Sequence, residues 1–279
     1  MFDISHPEVV RAVQCALEED IGTGDITTEL TVPAERKASG AFFARESMVV
    51  AGTELLPVIY NLLGGIDSIE LLKRSGDRAE PGECLARVHG SARLLLTAER
   101  TALNFIQRLS GVATLAHQFS AAMAGTKCRI LDTRKTTPGL RVLEKMACLA
   151  GGITNHRQGL FDAILIKNNH ITAAGGVGAA LAAVAGQAIP VEIEVRTLAE
   201  LDEALACGAK RLLLDNLTPG EARVWIESIA GRAAIELSGG ITLETARAYA
   251  EAGADFVSAG AITHSARALD INFRLTLYQ

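Results

Sequence analysis

Aromatic side chains are scarce, at 4% of the 279 residues with a single Trp, so aliphatic residues must build the interior. Charged residues are also few, at 21%, against 49% hydrophobic. That balance belongs to a globular core and excludes a disordered, solvated chain. No apolar run is long enough to cross a bilayer, and the opening MFDISHPEVV lacks the basic-then-apolar order of a signal peptide. A cytoplasmic protein without a membrane partner is therefore expected. The five cysteines are odd in number and contain no C-x-x-C pair, which excludes a disulfide framework and a thiolate zinc site. Reduced, mostly packed thiols are expected, with Cys128 and Cys148 in the core. A basic excess is missing too: the net charge of −5 argues against nucleic acid as a partner.

The average hides a local reversal. Between Lys127 and His170, eight basic residues (Lys127, Arg129, Arg134, Lys135, Arg141, Lys145, Arg157, Lys167) stand against three acids (Asp132, Glu144, Asp162). A compact site for a small anion fits such a segment better than a basic surface does.

The first element reads as a helix, with a capping box at Ser5-His-Pro-Glu8 and an apolar stripe at Val9, Val10, Val13 and Leu17, ending before Gly22. Short β-prone pieces follow to about Gly90, and a helix is expected from about Thr97 to Leu109, leading across Ser110-Gly111 into the repetitive part of the chain. Six aliphatic runs then recur with helical stretches between most of them: CRILDT, AILIK, VEIEV, RLLLDN, AAIELS and DFVSAG. This is a string of βα units. The expected fold class is α/β, an incomplete parallel α/β barrel of about six strands (a full one has eight) with a smaller N-terminal α+β domain. The boundaries read as 1–110 for the N-terminal domain and 111–266 for the barrel, with 267–279 returning to the first domain.

Every predicted strand ends in something chemical. The ends are Asp132-Thr-Arg134-Lys135, Lys167-Asn-Asn-His170, Glu192 with Glu194, Asp215-Asn216, Ser238-Gly239-Gly240 and Ser258-Ala-Gly260. Barrel enzymes place their reacting groups there, because the packed interior stops and loops leave a cavity. Alternation puts Glu192 and Glu194 on one face, where buried carboxylates need cations, and Lys135 and Lys167 are the expected suppliers. For Glu192 alone, a structural ion pair is the favoured reading. The two Ser-x-Gly ends suit backbone binding of a phosphate. Gly175-Gly-Val-Gly178 has no strand directly before it and no suitable acid after it, so it is no dinucleotide fingerprint.

At these residues the sequence resembles the quinolinate phosphoribosyltransferase family, the carboxylating nicotinate-nucleotide pyrophosphorylases. The resemblance rests on Asp132-Thr-Arg-Lys-Thr-Thr-Pro-Gly-Leu-Arg141, Gly151-Gly-Ile-Thr-Asn-His-Arg-Gln-Gly-Leu160, Leu165-Ile-Lys-Asn-Asn-His170, Glu192-Ile-Glu-Val195, Leu214-Asp-Asn216, Ser238-Gly-Gly-Ile241 and Thr263-His-Ser265. Upstream, Gly24-Asp-Ile-Thr-Thr28 and Glu99-Arg-Thr-Ala-Leu-Asn104 resemble it too.

The resemblance implies phosphoribosyl transfer from 5-phosphoribosyl 1-pyrophosphate to quinolinate, with Mg2+ and no organic cofactor. The products would be nicotinate mononucleotide, pyrophosphate and carbon dioxide, in NAD biosynthesis. It implies that Arg134, Lys135, His156, Arg157 and Lys167 form a cationic pocket, joined by Arg100 from a second subunit, so that a homodimer or larger assembly shares its sites. Glu194 and Asp215 would face the ribose hydroxyls and, indirectly, the metal, while Ser238, Gly239, Gly240 and Gly260 would cradle the 5-phosphate. Lys135, Lys167, Glu194 and Asp215 are the expected catalytic residues. Two positions depart from the family: Asn168, where many relatives carry an acid, and Arg196, where an acidic or small residue is common.

Plainer readings stand beside these. His6, His89 and His117 suit surface or packing roles, Arg141 and Lys145 a solvated helix face, and Trp225 helix packing. An aldolase using Lys167 as a Schiff base would not need so many arginines. A phosphoribosyltransferase or pyrophosphorylase for another carboxylate base, or a non-catalytic anion-binding homologue, remain the alternatives.

Overall fold

The computed structural model describes residues 3–277. They form two compact units, one made of residues up to 117 with 136–152 and those from 263 on, the other of 118–135 with 153–262.

In the first unit α1 (Pro7–Ile21) begins with Pro at its first position and buries Val9, Val13 and Leu17. Its cap is His6, whose Nδ1 accepts from the Glu8 N–H at 3.2 Å. Ser5 does not cap, because its N–H and hydroxyl both bond to the Asp3 carboxylate at 3.0 and 2.6 Å. Then come α2 (Ile26–Thr31), β1 (Lys37–Ala44), β2 (Met48–Val49), α3 (Leu55–Leu62), β3 (Ser68–Leu71), β4 (Arg78–Ala79), β5 (Cys84–Ser91) and α4 (Ala92–Ala122). The last strand of the chain, β12 (Ile271–Leu277), pairs antiparallel with β1, giving a sheet of order β12-β1-β5-β3.

Helix α4 is longer than the expected span of about Thr97 to Leu109: it runs 31 residues, through Ser110-Gly111, without interruption. Packing explains both residues. The Ser110 hydroxyl satisfies the N–H and C=O of Ala51, and a Cβ on Gly111 would lie 1.9 Å from the Arg267 carbonyl oxygen. Glycine is there for close approach, not to end the helix. In α5 (Arg141–Ala150) the expected solvated face also fails. Lys145 is 1% exposed and Glu144 is fully buried, with Glu144 accepting from Arg108 Nε and Nη2 at 3.0 and 2.7 Å. The thiols divide: Cys128 and Cys148 are buried as expected, whereas Cys15 and Cys207 are exposed.

The second unit holds the six predicted strands, β6 (Arg129–Leu131), β7 (Ile164–Ile166), β8 (Val191–Val195), β9 (Arg211–Asp215), β10 (Ala234–Ser238) and β11 (Phe256–Ser258). All pair parallel, in the order β6-β11-β10-β9-β8-β7. The expected incomplete parallel architecture is thus present, with β6 and β7 as edges. The helices after these strands are α6 (Asn168–Ala174), α7 (Val177–Ala183), α8 (Leu198–Ala206), α9 (Pro219–Ile229), α10 (Leu243–Glu251) and the short α11 (Ala261–His264). Their starts are encoded locally. Thr197 accepts from the Glu200 N–H, and Thr218 with Glu221 completes a capping box ahead of Pro219. Gly175 closes α6 and Gly176 opens α7. Strand interiors such as Leu212, Leu214 and Ile193 are fully buried, as both faces of a parallel sheet require.

Candidate active site

The C-terminal ends of the parallel strands carry the expected groups. Lys167 follows β7 directly, Glu194 is the penultimate residue of β8, and Asp215, Ser238 and Ser258 each end a strand. Register aligns Asp215 with Ser238 and places Glu194 beside Leu213. Glu194 is 7% exposed. Burial raises its carboxyl above the usual range, Asp215 raises it further, and Lys167 and Arg196 pull it back. The Asn168 backbone N–H also bonds to it, so the position that departs from the family contributes through its main chain. Arg196 is held in an exposed pair with Glu200 at 2.9 Å.

Two arginines form the second part of the site. Burial lowers the Arg157 guanidinium from its ordinary value, and the charge of Arg134 lowers it further, against opposition from Asp162 and Glu192. Arg157 Nη1 donates to the Ala163 carbonyl at 3.1 Å, and the buried Arg134 Nε has no hydrogen-bond partner among the described residues. Like charges held together with a donor unsatisfied are costly unless an anion completes them. A cavity of about 280 Å³ beside Arg157 is lined by His156, Asp162, Glu192, Arg211 and Phe256 among others; it meets the first residues of β7, β9 and β11, and Lys167, Glu194 and Asp215 do not line it.

His156 is tied into the protein on all sides. Its backbone N–H donates to the buried Asp132 at 2.8 Å, and Nε2 faces Glu192 and Glu236 at 3.4 and 3.5 Å. Burial would depress the imidazole, but the two carboxylates outweigh it and push its pKa up to about 9. Nδ1 lies 2.6 Å from the Arg157 backbone nitrogen, a contact that protonation there would disrupt. The carboxylates win, because buried charge–charge attraction exceeds one neutral hydrogen bond.

The cations expected opposite Glu192 are corrected. They are Arg211, which donates from Nε to Glu192 at 2.9 Å and from Nη2 to Glu236 at 2.8 Å, and His156. Arg211 also stacks 4.5 Å over Phe256. His156, Glu192 and Glu236 bring potential ligand atoms within 4.8 Å of one another, yet Arg211 already supplies positive charge to both carboxylates. Arg211 and Glu236 were not singled out from sequence, whereas Asp132 was named there as a strand end. Alternation along β9 and β10 is their only signal, placing Arg211 on the face of Leu213 and Asp215, and Glu236 on that of Ser238.

The remaining residues fall as follows. Lys135 is exposed, and its backbone N–H bonds to the Thr133 hydroxyl. Gly239 and Gly240 take positive φ of 98° and 61° ahead of α10, and Gly260 is half-buried before α11. Arg100 is exposed on α4, in the first unit. His170 Nδ1 accepts from the Lys167 N–H, His89 bonds to Ser39, and His117 to Arg78.

A parallel α/β fold that sets Lys167 near Glu194 and Asp215 at its strand ends, and holds Arg134 and Arg157 together on its loops, belongs to an enzyme for small charged anions. The chain belongs to the quinolinate phosphoribosyl transferase family: the family's C-terminal domain matches residues 112–274 and its N-terminal domain residues 25–110. It is 44% identical to a Mycobacterium leprae protein named nicotinate-nucleotide pyrophosphorylase [carboxylating], over 98% of both chains. A Bacillus subtilis relative, named as a probable enzyme of that kind, is 39% identical over 98% of this chain and 96% of its own. The solved structure of the nicotinate-nucleotide pyrophosphorylase from Francisella tularensis superposes with a TM-score of 0.91, at 38% identity and 97% coverage of each chain.

Proposed function

We propose that the protein transfers the phosphoribosyl group of 5-phosphoribosyl 1-pyrophosphate to quinolinate and decarboxylates the adduct, yielding nicotinate mononucleotide, pyrophosphate and carbon dioxide for NAD biosynthesis. One observation carries this reading beyond family membership: Arg134 and Arg157 lie close enough to depress Arg157, and Arg134 Nε is left without a partner. Quinolinate carries two adjacent carboxylates, and guanidinium groups suit carboxylates bidentately. Each charged hydrogen bond contributes about 1.5–3 kcal/mol, so a few of them offset the desolvation of the substrate. Lys135, Lys167 and His156 complete the positive pocket.

In the transfer, the bond from the sugar C1 to the pyrophosphate oxygen breaks and a bond from the pyridine nitrogen to C1 forms. Positive charge develops on the sugar, and Glu194 is suited to stabilise it. The nitrogen, now cationic, accepts the strain of the second step: the bond to the adjacent carboxyl breaks, its electron pair stays on the ring carbon, and a proton replaces the departing carbon dioxide. Ser238, Gly239, Gly240 and Gly260 would hold the 5-phosphate through backbone N–H groups.

Mg2+ fits the donor set. Glu194, buried, and Asp215, half-buried, repel one another, which a divalent cation, held directly or through water, would relieve. Bound with the second substrate, it would neutralise pyrophosphate charge. Arg100 is proposed to reach the site of a second protomer, making the working form a homodimer or larger, and the cytoplasm is the proposed location.

Incubation with quinolinate, phosphoribosyl pyrophosphate and Mg2+ tests the reading. Nicotinate mononucleotide and carbon dioxide should appear in equal amounts. Nucleotide without carbon dioxide would mean another base, and binding without product would mean a non-catalytic homologue.

A further inference from the structure

We propose that Asn216 is a positioning residue that fixes the direction of the Asp215 carboxylate, with Gly239 as the floor against which it is held; the inference rests on the reading that Asp215 serves the sugar end of phosphoribosyl pyrophosphate. Asn216 adopts φ 58°, a left-handed conformation shared among non-glycine described residues only by Ala230, which caps α9. Glycine would occupy this position without steric cost, so the side chain must contribute something. Its Nδ2 donates to Asp215 Oδ2 at 2.7 Å. Its backbone N–H meanwhile donates to the Ser238 carbonyl at 2.9 Å, carrying the β9–β10 pairing one residue past the strand end.

Gly239 supplies the second observation. A Cβ there would lie 2.3 Å from Asn216 Oδ1 and 2.6 Å from its N, so the amide is pressed against bare backbone. Three constraints thus converge on one side chain: a left-handed φ, a backbone bond to the neighbouring strand and a steric wall. An exposed amide held this way loses little further entropy on engaging Asp215. The carboxylate it engages is the one whose charge reaches Glu194. Turning Asp215 would move that charge and misplace the group that meets the sugar.

The test uses the full chain with Asn216→Gly, which keeps the backbone conformation and removes the amide. KM for phosphoribosyl pyrophosphate should rise about tenfold, the effect of losing one hydrogen bond to a charged group, while KM for quinolinate stays within about twofold. A purely structural role would change melting temperature and leave that split unmoved. Equal shifts in both KM values, or none in Asn216→Gly, overturn the proposal. A wild-type enzyme that makes no nicotinate mononucleotide defeats the proposed function instead. A crystal structure of Asn216→Gly then decides the geometry by itself: Asp215 turned away supports the proposal, and Asp215 unmoved overturns it.

Discussion

Arg211 donates from Nη2 to Glu236 at 2.8 Å, joining the first residue of β9 to the middle of β10 inside the parallel sheet. The same guanidinium reaches Glu192, and both acids face His156, so two cations balance two anions. Glu236→Ala strands Arg211 and His156 opposite a single carboxylate. Breaking a buried pair by removing one partner costs about 3–5 kcal/mol, and a loss of that size is expected in urea unfolding. A loss below about 1 kcal/mol would mean that the pair behaves like a surface one.

Arg157→Ala removes the guanidinium that burial and Arg134 already disfavour. The fold should survive, because the group lowers its own stability there. Turnover should fall by about a hundredfold or more, since two charged hydrogen bonds to a substrate carboxylate are lost. Steady-state rates with circular dichroism as the folding control check this. Near wild-type kcat/KM would remove Arg157 from the site.

The imidazole of His156 sets a pH dependence. Its pKa is raised from 6.5 to about 9, so the folded protein holds a proton that the unfolded chain gives up. The stabilisation is fully present below about pH 6.5 and is lost as pH rises through about 9. Thermal melts between these values should show the wild type losing stability faster than His156→Gln, which cannot titrate. Parallel curves would mean that the carboxylates do not hold the ring protonated.

Mixing inactive Arg100→Ala with inactive Lys135→Ala addresses the proposed sharing of sites. A hybrid dimer carries one site with both lesions and one with neither, so part of the activity should return after subunit exchange. Verified mixed dimers without recovered turnover would place both residues in the same protomer's site.

Much of the parallel unit is legible in the sequence because its strands are short aliphatic runs bounded by helix caps, and because Lys167, Glu194, Asp215 and Ser238 mark their ends. What escaped depends on contacts between distant segments. Ser110-Gly111 has the composition of a break, yet Ala51 and Arg267 make it the inside of a helix. Lys145 reads as a solvated residue, yet it is buried, and so is Glu144 beside it, which Arg108 from α4 engages. Arg211 sits at the start of a strand, where reacting groups are not sought, and only the register of three neighbouring strands shows what it joins.

The pairing of β12 with β1 orders events during synthesis. Residues 37–44 are made well before the strand that completes their sheet, which comes only after all six parallel strands. Until it arrives, β1 presents an open edge, with Phe42 lacking its Phe273 neighbour, 4.9 Å away in the finished protein. A ribosome stalled before codon 271 would therefore release a chain able to carry every parallel strand and still be prone to self-association through its oldest sheet.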